Sequence, residues 1–437
     1  MYLAILGYTM MALLIFVLLK GKLTPVVAFV ILPPIFALLA GFGITEISGF
    51  VVQGVPKTIN AMALTLFATV YFRIMTDRGL FEPIVRWLSK KAGGNVSAIL
   101  VITTIIAAIA HMDTGVTSTM LVTIPAMLPL YKRFNIRVEW MFLMIAQAVG
   151  VVNLLPHGGG PVRVSSVTGL DISLIFRTIA PVIIAMLVYN VISAYFYGKV
   201  EQRYIQKTYG SLNDDVAGAH ADLSNIREVT VDAKYWANLI LTFLLLGLMF
   251  QGKLSGYFIF MVGLAVAMMI NFPKTTDQIK VVKASGEDAL YISAIMLASG
   301  VMVGILSGTG MLASMAEVVV NLIPTSLKSV YGVLIGYLSI PLSIALGADG
   351  FYYGLTSLFT QVGNSYGFTS ISIVSLMMMA RDAFGNLTPV SPVTYLAPGM
   401  LGKDLGIFIK FCFKYLLLYF TVEVILTILF GIVPLVV

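Results

Sequence analysis

Charge is scarce in this chain. Only 11% of its 437 residues are Asp, Glu, Lys or Arg, against about 25% in a soluble domain. So few charges cannot cover a core of this size in water, and a soluble enzyme is excluded. Cysteine is nearly absent. The single Cys412 allows no disulfide within one chain and no cysteine metal cluster, and it reads as a small apolar side chain in a helix. His occurs three times. No HExxH or GxSxG pattern is present, and His111 and His157 do not have a ligand spacing on one helix, which argues against a membrane-embedded enzyme. Ten-residue segments of alternating polarity are missing too, so a transmembrane β-barrel is disfavoured.

Apolar residues are plentiful: 59% of the chain, with a mean hydropathy of +0.97. Runs long enough to cross a bilayer recur along it. The expected fold class is an all-α polytopic membrane protein in the cytoplasmic membrane, with the lipid bilayer as its surroundings. The opening stretch, "MYLAILGYTMMALLIFVLLKGK", has no basic leader and no small-residue cleavage site, so it is expected to be a retained helix. The net charge of +7 fits cytoplasmic basic residues and anionic lipid. Nucleic acid is not an expected partner.

Hydrophobic runs predict helices at about 2–19, 23–41, 58–76, 139–169, 172–197, 235–251, 254–272, 287–307, 369–400 and 406–436. Two apolar segments, 97–131 and 328–366, do not fit as single spans. The polar stretch 201–234 reads as a cytoplasmic linker between two halves, 1–200 and 235–437. Lys and Arg cluster after the first and third helices, after 131, around the central helices and before the last helix. With all of them in the cytoplasm, both termini lie outside. Segment 97–131 then enters and leaves from one side. Its two arms of about 16 residues reach about 24 Å each, short of a hydrocarbon core about 30 Å thick. A re-entrant hairpin fits better than two short spans.

The second half repeats the first. "NLLPHGGGPVRVSSVTGLD" from Asn153 aligns without gaps on "NLTPVSPVTYLAPGMLGKD" from Asn386, an offset of 233. "RIMTDRGLF" and "GILSGTGML" match at an offset of 231, and Asp113 corresponds to Asp349 at 236. Each half then holds five crossings and one hairpin. An odd number of crossings makes the two repeats inverted, a recurrent plan of secondary transporters whose site lies where broken elements meet at midplane.

Four polar breaks fall at matched positions: "HMDTGVTST" (111–119), "NLLPHGGGPVRVSS" (153–166), "GADGFYYGLTS" (347–357) and "GNLTPVSPVT" (385–394). Irregular backbone at membrane depth is tolerated only inside protein or along a water-filled cavity. Gly158, Gly159 and Gly160 let backbone approach a ligand. Helices restarting after such breaks offer free N–H groups to a carboxylate. Freed carbonyls suit a cation, and the hydroxyls of Thr114, Thr117, Ser118, Thr388, Ser391 and Thr394 suit either. A lone hydroxyl often bonds only to its own helix, and a lone Pro is often only a kink. Four paired breaks together point to function.

Charges at membrane depth are costly and default to function. Asp113 and Asp349, at the hairpin tips, are read as proton carriers or as ligands of a bound cation, while Asp is also a favoured helix cap. Arg163 is the best candidate for holding a carboxylate through two parallel bonds, unless it pairs with Asp171. His157 can ligate, shuttle a proton or only hydrogen-bond, and His111 is expected to stand behind the site. Arg381 and Asp382 are read as a pair with each other, and so are Arg73 and Asp77. Glu423 is a lone acid in the last helix whose role stays open.

Over nearly its whole length, and through both repeats in order, the chain resembles the citrate–metal symporters of the ion transporter superfamily. The stretches that carry the resemblance are "DTGVTSTMLVTIPAMLPLYKRFNI", "NLLPHGGGPVRVSSVTGLD", "ADGFYYGLTSL" and "SPVTYLAPGMLGKDLG…FKYLLLY". It implies a homodimer with scaffold and transport domains, two re-entrant hairpins, elevator motion, and uptake of citrate complexed with a divalent metal of the Mg²⁺ or Ca²⁺ class, driven by protons. It assigns Asp113, Thr114, Gly115 and Thr117 to the first tip and Asn153, Gly158, Gly159 and Arg163 to the first broken helix. Asp349, Gly350 and Tyr352 fall to the second tip, and Asn386, Ser391 and Thr394 to the second broken helix. The chain departs from the family pattern at "HMDTG", where "DGDG" is usual, and at His157, where an aromatic is common. Both departures leave metal preference and coupling ion, H⁺ or Na⁺, open. A carrier of free di- or tricarboxylates is the nearest rival reading, and an anion channel is a rival of another class.

Overall fold

In the computed structural model, residues 1–20, 22–91, 95–209, 228–251, 253–389 and 391–436 are described. Their regular structure is helical. The first half contains α1 (Tyr2–Leu19), α2 (Pro25–Leu39), α3 (Ile44–Gly54), α4 (Pro56–Asp77), α5 (Glu82–Lys91), α6 (Val96–Ala110), α7 (Val116–Arg133), α8 (Val138–Val152), α9 (Gly159–Thr168) and α10 (Ile172–Tyr209). The second half contains α11 (Ala233–Gln251), α12 (Gly256–Asn271), α13 (Thr275–Gly308), α14 (Met311–Leu322), α15 (Thr325–Lys328), α16 (Tyr331–Ser365), α17 (Ser370–Phe384), α18 (Leu396–Leu401) and α19 (Leu405–Leu429). Six described helical runs are long and apolar enough to cross a membrane. One of these, α16, is two arms merged across a kink at Gly347.

Local sequence signals set the helix ends. The Thr24 side chain accepts from the Val27 N–H with Pro25 just behind it, and Asn95 accepts from the Ser97 N–H at 2.8 Å. Both are favoured N-cap uses. Glu46 reaches back to the Gly43 N–H at 2.8 Å to start α3. Asp171 caps α10 by accepting from the Leu174 N–H.

Two helices form the centre. Every residue of α8 from Glu139 to Val152 is buried, and so is α17 from Ser372 onward except Arg381. A helix apolar all round belongs inside, as "MFLMIAQAVGVV" and "IVSLMMMA" are but for Gln147 and Ser375. They meet at Gly150, where an added Cβ would press on the backbone of Asp382 and Ala383 at 3.3–3.4 Å. Each stops at a break, 153–158 after α8 and 385–391 after α17. At the N-terminal end of α8, charges pair where apolar packing ends. The buried Glu201 carboxylate accepts from Arg137, both backbone and guanidinium, and from Trp140 Nε1 at 2.7 Å. The buried Glu139 carboxylate takes Lys403 Nζ at 2.8 Å.

Left-handed backbone recurs at nearly constant spacing. Gly79 and Gly310 have φ of 71° and 75°, Asn135 and Gly367 have 53° and 92°, and Gly169 and Gly402 have 74° and 69°. Thr114 at φ 58° and Gly347 at φ 65° make a fourth pair, all four at offsets of 231 to 233, while Gly41 and Gly431, at φ 93° and 68°, have no such counterpart.

The structure departs from several sequence expectations. α3, α5 and α14 were not anticipated: they are short, and α5 ("EPIVRWLSKK") mixes charge with apolar residues and so does not look like a span. α10 does not end at 197. It runs to Tyr209, so residues 201–209 of the expected linker are helix, anchored by Glu201. Residues 210–227 of that linker lie outside the described residues. α13 begins at Thr275, twelve residues before the expected start at 287, because an exposed polar turn continues the helix.

Candidate functional site

The tip of the first hairpin is built by Asp113. α6 tightens into a 3₁₀ turn over His111–Asp113, Thr114 turns left-handed, and α7 restarts after Gly115. Asp113 accepts from the Gly115 N–H at 2.8 Å and from the Ser118 hydroxyl at 2.8 Å. That network holds Thr114, a β-branched residue, in a conformation costing about 1–3 kcal/mol. His111 fastens the tip to the first broken helix, with Nδ1 2.7 Å from Thr119 Oγ1 and Nε2 3.1 Å from Asn153 Oδ1.

The second tip is made differently. Gly347, with φ 65° and ψ −174°, breaks α16 into arms 331–346 and 348–365. No residue with a Cβ adopts those angles comfortably. Asp113 and Asp349 stand on opposite sides of their left-handed residues, Thr114 and Gly347. Asp113 stands before its break and caps it. Asp349 stands after its break, in the first turn of the second arm, where negative charge suits the helix dipole.

The four broken elements converge on one cavity of about 500 Å³. Of the residues singled out in the sequence, Asp113, Thr114, Gly115, Asn153, His157, Gly159, Gly160, Arg163, Tyr352, Asn386, Ser391 and Thr394 line it. The other six do not. Thr117 is exposed on α7, and Ser118 is occupied by Asp113. Gly158 is the N-cap of α9, and its missing side chain leaves room for the Asn153 carbonyl. Gly350 is buried against Leu346. The Thr388 hydroxyl donates to the Ile344 carbonyl at 2.6 Å, tying the second break to the second hairpin. Asp349 pairs with Arg163, Nε to Oδ1 at 2.9 Å. The same guanidinium donates from Nη1 to the Gly159 carbonyl at 3.2 Å. Arg163 therefore joins the second hairpin, not Asp171.

Sequence reasoning also missed part of the lining. Thr65, Thr69 and Phe72 come from α4, and Tyr291 and Ile295 from α13, spans with no break to mark them. Arg381 and Asp382 line the cavity as well. No ion pair between these two forms among the described residues, and Asp382 Oδ2 and Arg381 Nε each have no protein partner. Adjacent residues on a helix diverge by about 100°. Their signal was plain: two charges in "SLMMMARDAFGN", one turn before a break.

The cavity collects other unpartnered polar atoms. They are Tyr352 Oη, Asn386 Nδ2 and His157 Nδ1. The His157 Nε2 atom lies 2.8 Å from the Met112 carbonyl, which has no proton to give, so Nε2 is the donor. Nδ1 is left with a lone pair, and the ring is fixed by stacking on Phe72 at 4.0 Å. Donors and acceptors thus stand side by side around one space. In a native interior such atoms are rare and each calls for a ligand, an ion or water.

A polar cavity bordered by broken helices inside a polytopic apolar bundle is the mark of a membrane transporter. The citrate transporter (CitMHS) family model matches residues 2–393. The chain is 32% identical over 433 residues to a citrate transporter of Bacillus subtilis, covering 99% of each protein. It is 28% identical, over 98% of each, to the Mg²⁺/citrate complex secondary transporter of the same organism. The chain belongs to the citrate transporter family, and it is a multi-pass membrane transporter, not an enzyme. Among solved structures it is similar to the YdaH transporter of Alcanivorax borkumensis. The TM-score is 0.57 at 15% identity, over 89% of this chain and 87% of the other. At that identity the likeness concerns the fold alone.

Proposed function

We propose that the chain is a secondary transporter importing citrate as a complex with a divalent metal of the Mg²⁺ or Ca²⁺ class, coupled to protons. One observation carries this reading: a single cavity offers buried unpartnered atoms suited to both an anion and a cation. Free citrate at neutral pH carries nearly three negative charges, since carboxylates titrate near pH 4. Its one-to-one complex with a divalent metal carries about one. The charged side chains named above are Asp113, Asp349 and Asp382 against Arg163 and Arg381, close to balance. Such a set favours a monoanion with a buried positive centre over a trianion. The name of the Mg²⁺/citrate relative supports the same cargo.

In this reading Arg163, Asn386 and the start of α9 receive carboxylates, and Thr114, Ser391 and Thr394 supply further hydrogen bonds. Asp113 carries the coupling proton. The two halves, 1–200 and 235–437, act as inverted repeats, supported by the matched left-handed residues. The α6–α7 pair is read as a re-entrant hairpin, supported by the basic residues that flank it at both ends, Lys90 and Lys91 before it and Lys132 and Arg133 after its apolar run. Elevator motion and a homodimer follow from the family resemblance.

The test is uptake of labelled citrate into proteoliposomes with Mg²⁺, Ca²⁺ or EDTA, under imposed proton or sodium gradients. Metal-dependent uptake stimulated by a proton gradient is expected. Uptake undiminished by EDTA would refute the metal complex, and stimulation by sodium alone would refute proton coupling.

A further inference from the structure

Among the described residues, three carboxylates stand at or beside the cavity, and they are not equivalent. Asp113 has turned onto its own hairpin, accepting the Gly115 N–H and the Ser118 hydroxyl. Asp349 is committed to Arg163. Asp382 is 4% exposed, and its Oδ2 has no protein partner. The environment of that oxygen is defined by Gly160. A Cβ built there would lie 2.7 Å from Asp382 Oδ2 and 2.9 Å from Tyr352 Oη, itself unpartnered and buried. Both oxygens therefore close on the Gly160 backbone, in the room a side chain there would take.

We propose that Asp382 is the residue that contacts the divalent cation of the cargo, through Oδ2, with the Tyr352 hydroxyl beside it holding an oxygen of the metal's remaining coordination shell. The inference rests on the metal–citrate reading and deepens it. A carboxylate buried without a hydrogen bond is expensive unless a cation reaches it. Among the described residues no group of three His, Cys, Asp or Glu side chains could hold a metal. The protein thus contributes few ligands, as suits a cation that arrives already bound by citrate and keeps part of its water, the habit of Mg²⁺. Arg381 and Arg163, also on the cavity wall, face the carboxylates of the same cargo. Cation and anion ends are then read within one space: free citrate brings Asp382 a hydroxyl proton but no positive charge, and the bare metal brings nothing to the two guanidinium groups.

The competing account makes Asp382 only a counter-charge for Arg381, and purified full-length protein distinguishes the two. Thermal stabilisation is measured with citrate plus EDTA, with Mg²⁺ or Ca²⁺ alone, and with citrate titrated with each metal. Wild type is expected to respond only to citrate and metal together. Asp382→Asn is expected to raise the metal concentration for half-saturation by about tenfold or more, the usual cost of disturbing a metal's surroundings. Asp382→Glu, which keeps the charge one methylene further out, is expected to change the Mg²⁺ to Ca²⁺ preference. Unchanged metal dependence and preference in both variants would overturn the inference. So would wild-type metal dependence in the double variant Arg381→Gln, Asp382→Asn, because removing both charges would then have restored binding. If wild type is stabilised by citrate equally with EDTA, the metal–citrate reading itself fails; if wild type needs metal and the variants behave like it, this inference alone fails.

Discussion

A single methyl group at Gly160 separates cargo recognition from folding. In Gly160→Ala the new Cβ would stand 2.7 Å from Asp382 Oδ2 and 2.9 Å from Tyr352 Oη. Ordinary contacts to carbon begin near 3.5 Å, so the two oxygens must retreat by roughly 0.6–0.8 Å. Crowding of this kind costs about 1–3 kcal/mol. Replacing a helical Gly by Ala returns up to about 1 kcal/mol. The net change in stability is therefore about 0–3 kcal/mol. The cargo feels it as well. Misplacing binding groups by about 1 Å can cost a factor of about 100, so a ten- to hundredfold rise in half-saturation for metal–citrate uptake is expected, about 1.4–2.7 kcal/mol. Uptake into proteoliposomes and melting of the purified protein are measured together. Gly399→Ala is the control: Gly399 is helical and exposed, and its Cβ would meet nothing within 4 Å. Wild-type half-saturation in a folded Gly160→Ala protein would show that Asp382 and Tyr352 do not meet the cargo.

Other expected outcomes follow from the same geometry. Arg163→Gln strips the guanidinium from the cavity wall and leaves Asp349 alone. Uptake should drop about a hundredfold or more, while stability changes by only about 0–1 kcal/mol, because the pair is partly exposed at 30% and 36%. Asp113→Asn keeps an acceptor for the Gly115 N–H, so melting should stay near wild type. The ratio of uptake with and without a pH gradient should fall toward one, and an unchanged ratio removes Asp113 from coupling. Glu201→Gln breaks a buried pair whose Arg137 side chain is 33% exposed. It should destabilise by about 2–4 kcal/mol in thermal or denaturant unfolding, with the half-saturation for cargo unaltered.

The parts of the site legible in the sequence were those that break a pattern. Gly and Pro at membrane depth marked both broken helices, and a polar tip marked the first hairpin. What stayed hidden sits on regular helices. Phe72, Thr65 and Tyr291 line the cavity from spans that read as ordinary, and only packing brings them there. Asp382 was visible as a charge but was assigned to its neighbour Arg381, because sequence proximity stood in for contact. Asp113 and Asp349 were matched as acids at similar positions. In the structure the left-handed residues are Thr114 and Gly347, and the two acids fall on opposite sides of their breaks. α10 was cut short at 197 because charge density rises there, yet Glu201 is buried and paired with Arg137 on the helix that continues to Tyr209.

The distribution of the three carboxylates separates the work of building the site from that of reading the cargo. Asp113 stabilises a left-handed Thr114, and Asp349 fixes Arg163 in the wall. Both are engaged before any cargo arrives. The groups still free are Asp382 Oδ2, Tyr352 Oη, His157 Nδ1, Arg381 Nε and Asn386 Nδ2. Each buried polar atom left bare costs about 1–3 kcal/mol, a sum comparable to the whole stability of a typical domain. In the proposed reading such atoms persist because water or cargo entering the cavity can reach them once their side chains turn toward it. A cargo that displaces that water must match their signs: acceptors at Asp382 and His157, donors at Arg381 and Asn386. Free citrate brings Asp382 only a hydroxyl proton against the repulsion of its carboxylates, and a bare cation offers nothing to Arg381. In the proposed reading a metal held by citrate offers both within one molecule, so selectivity for the complex would need no separate sensor for each part.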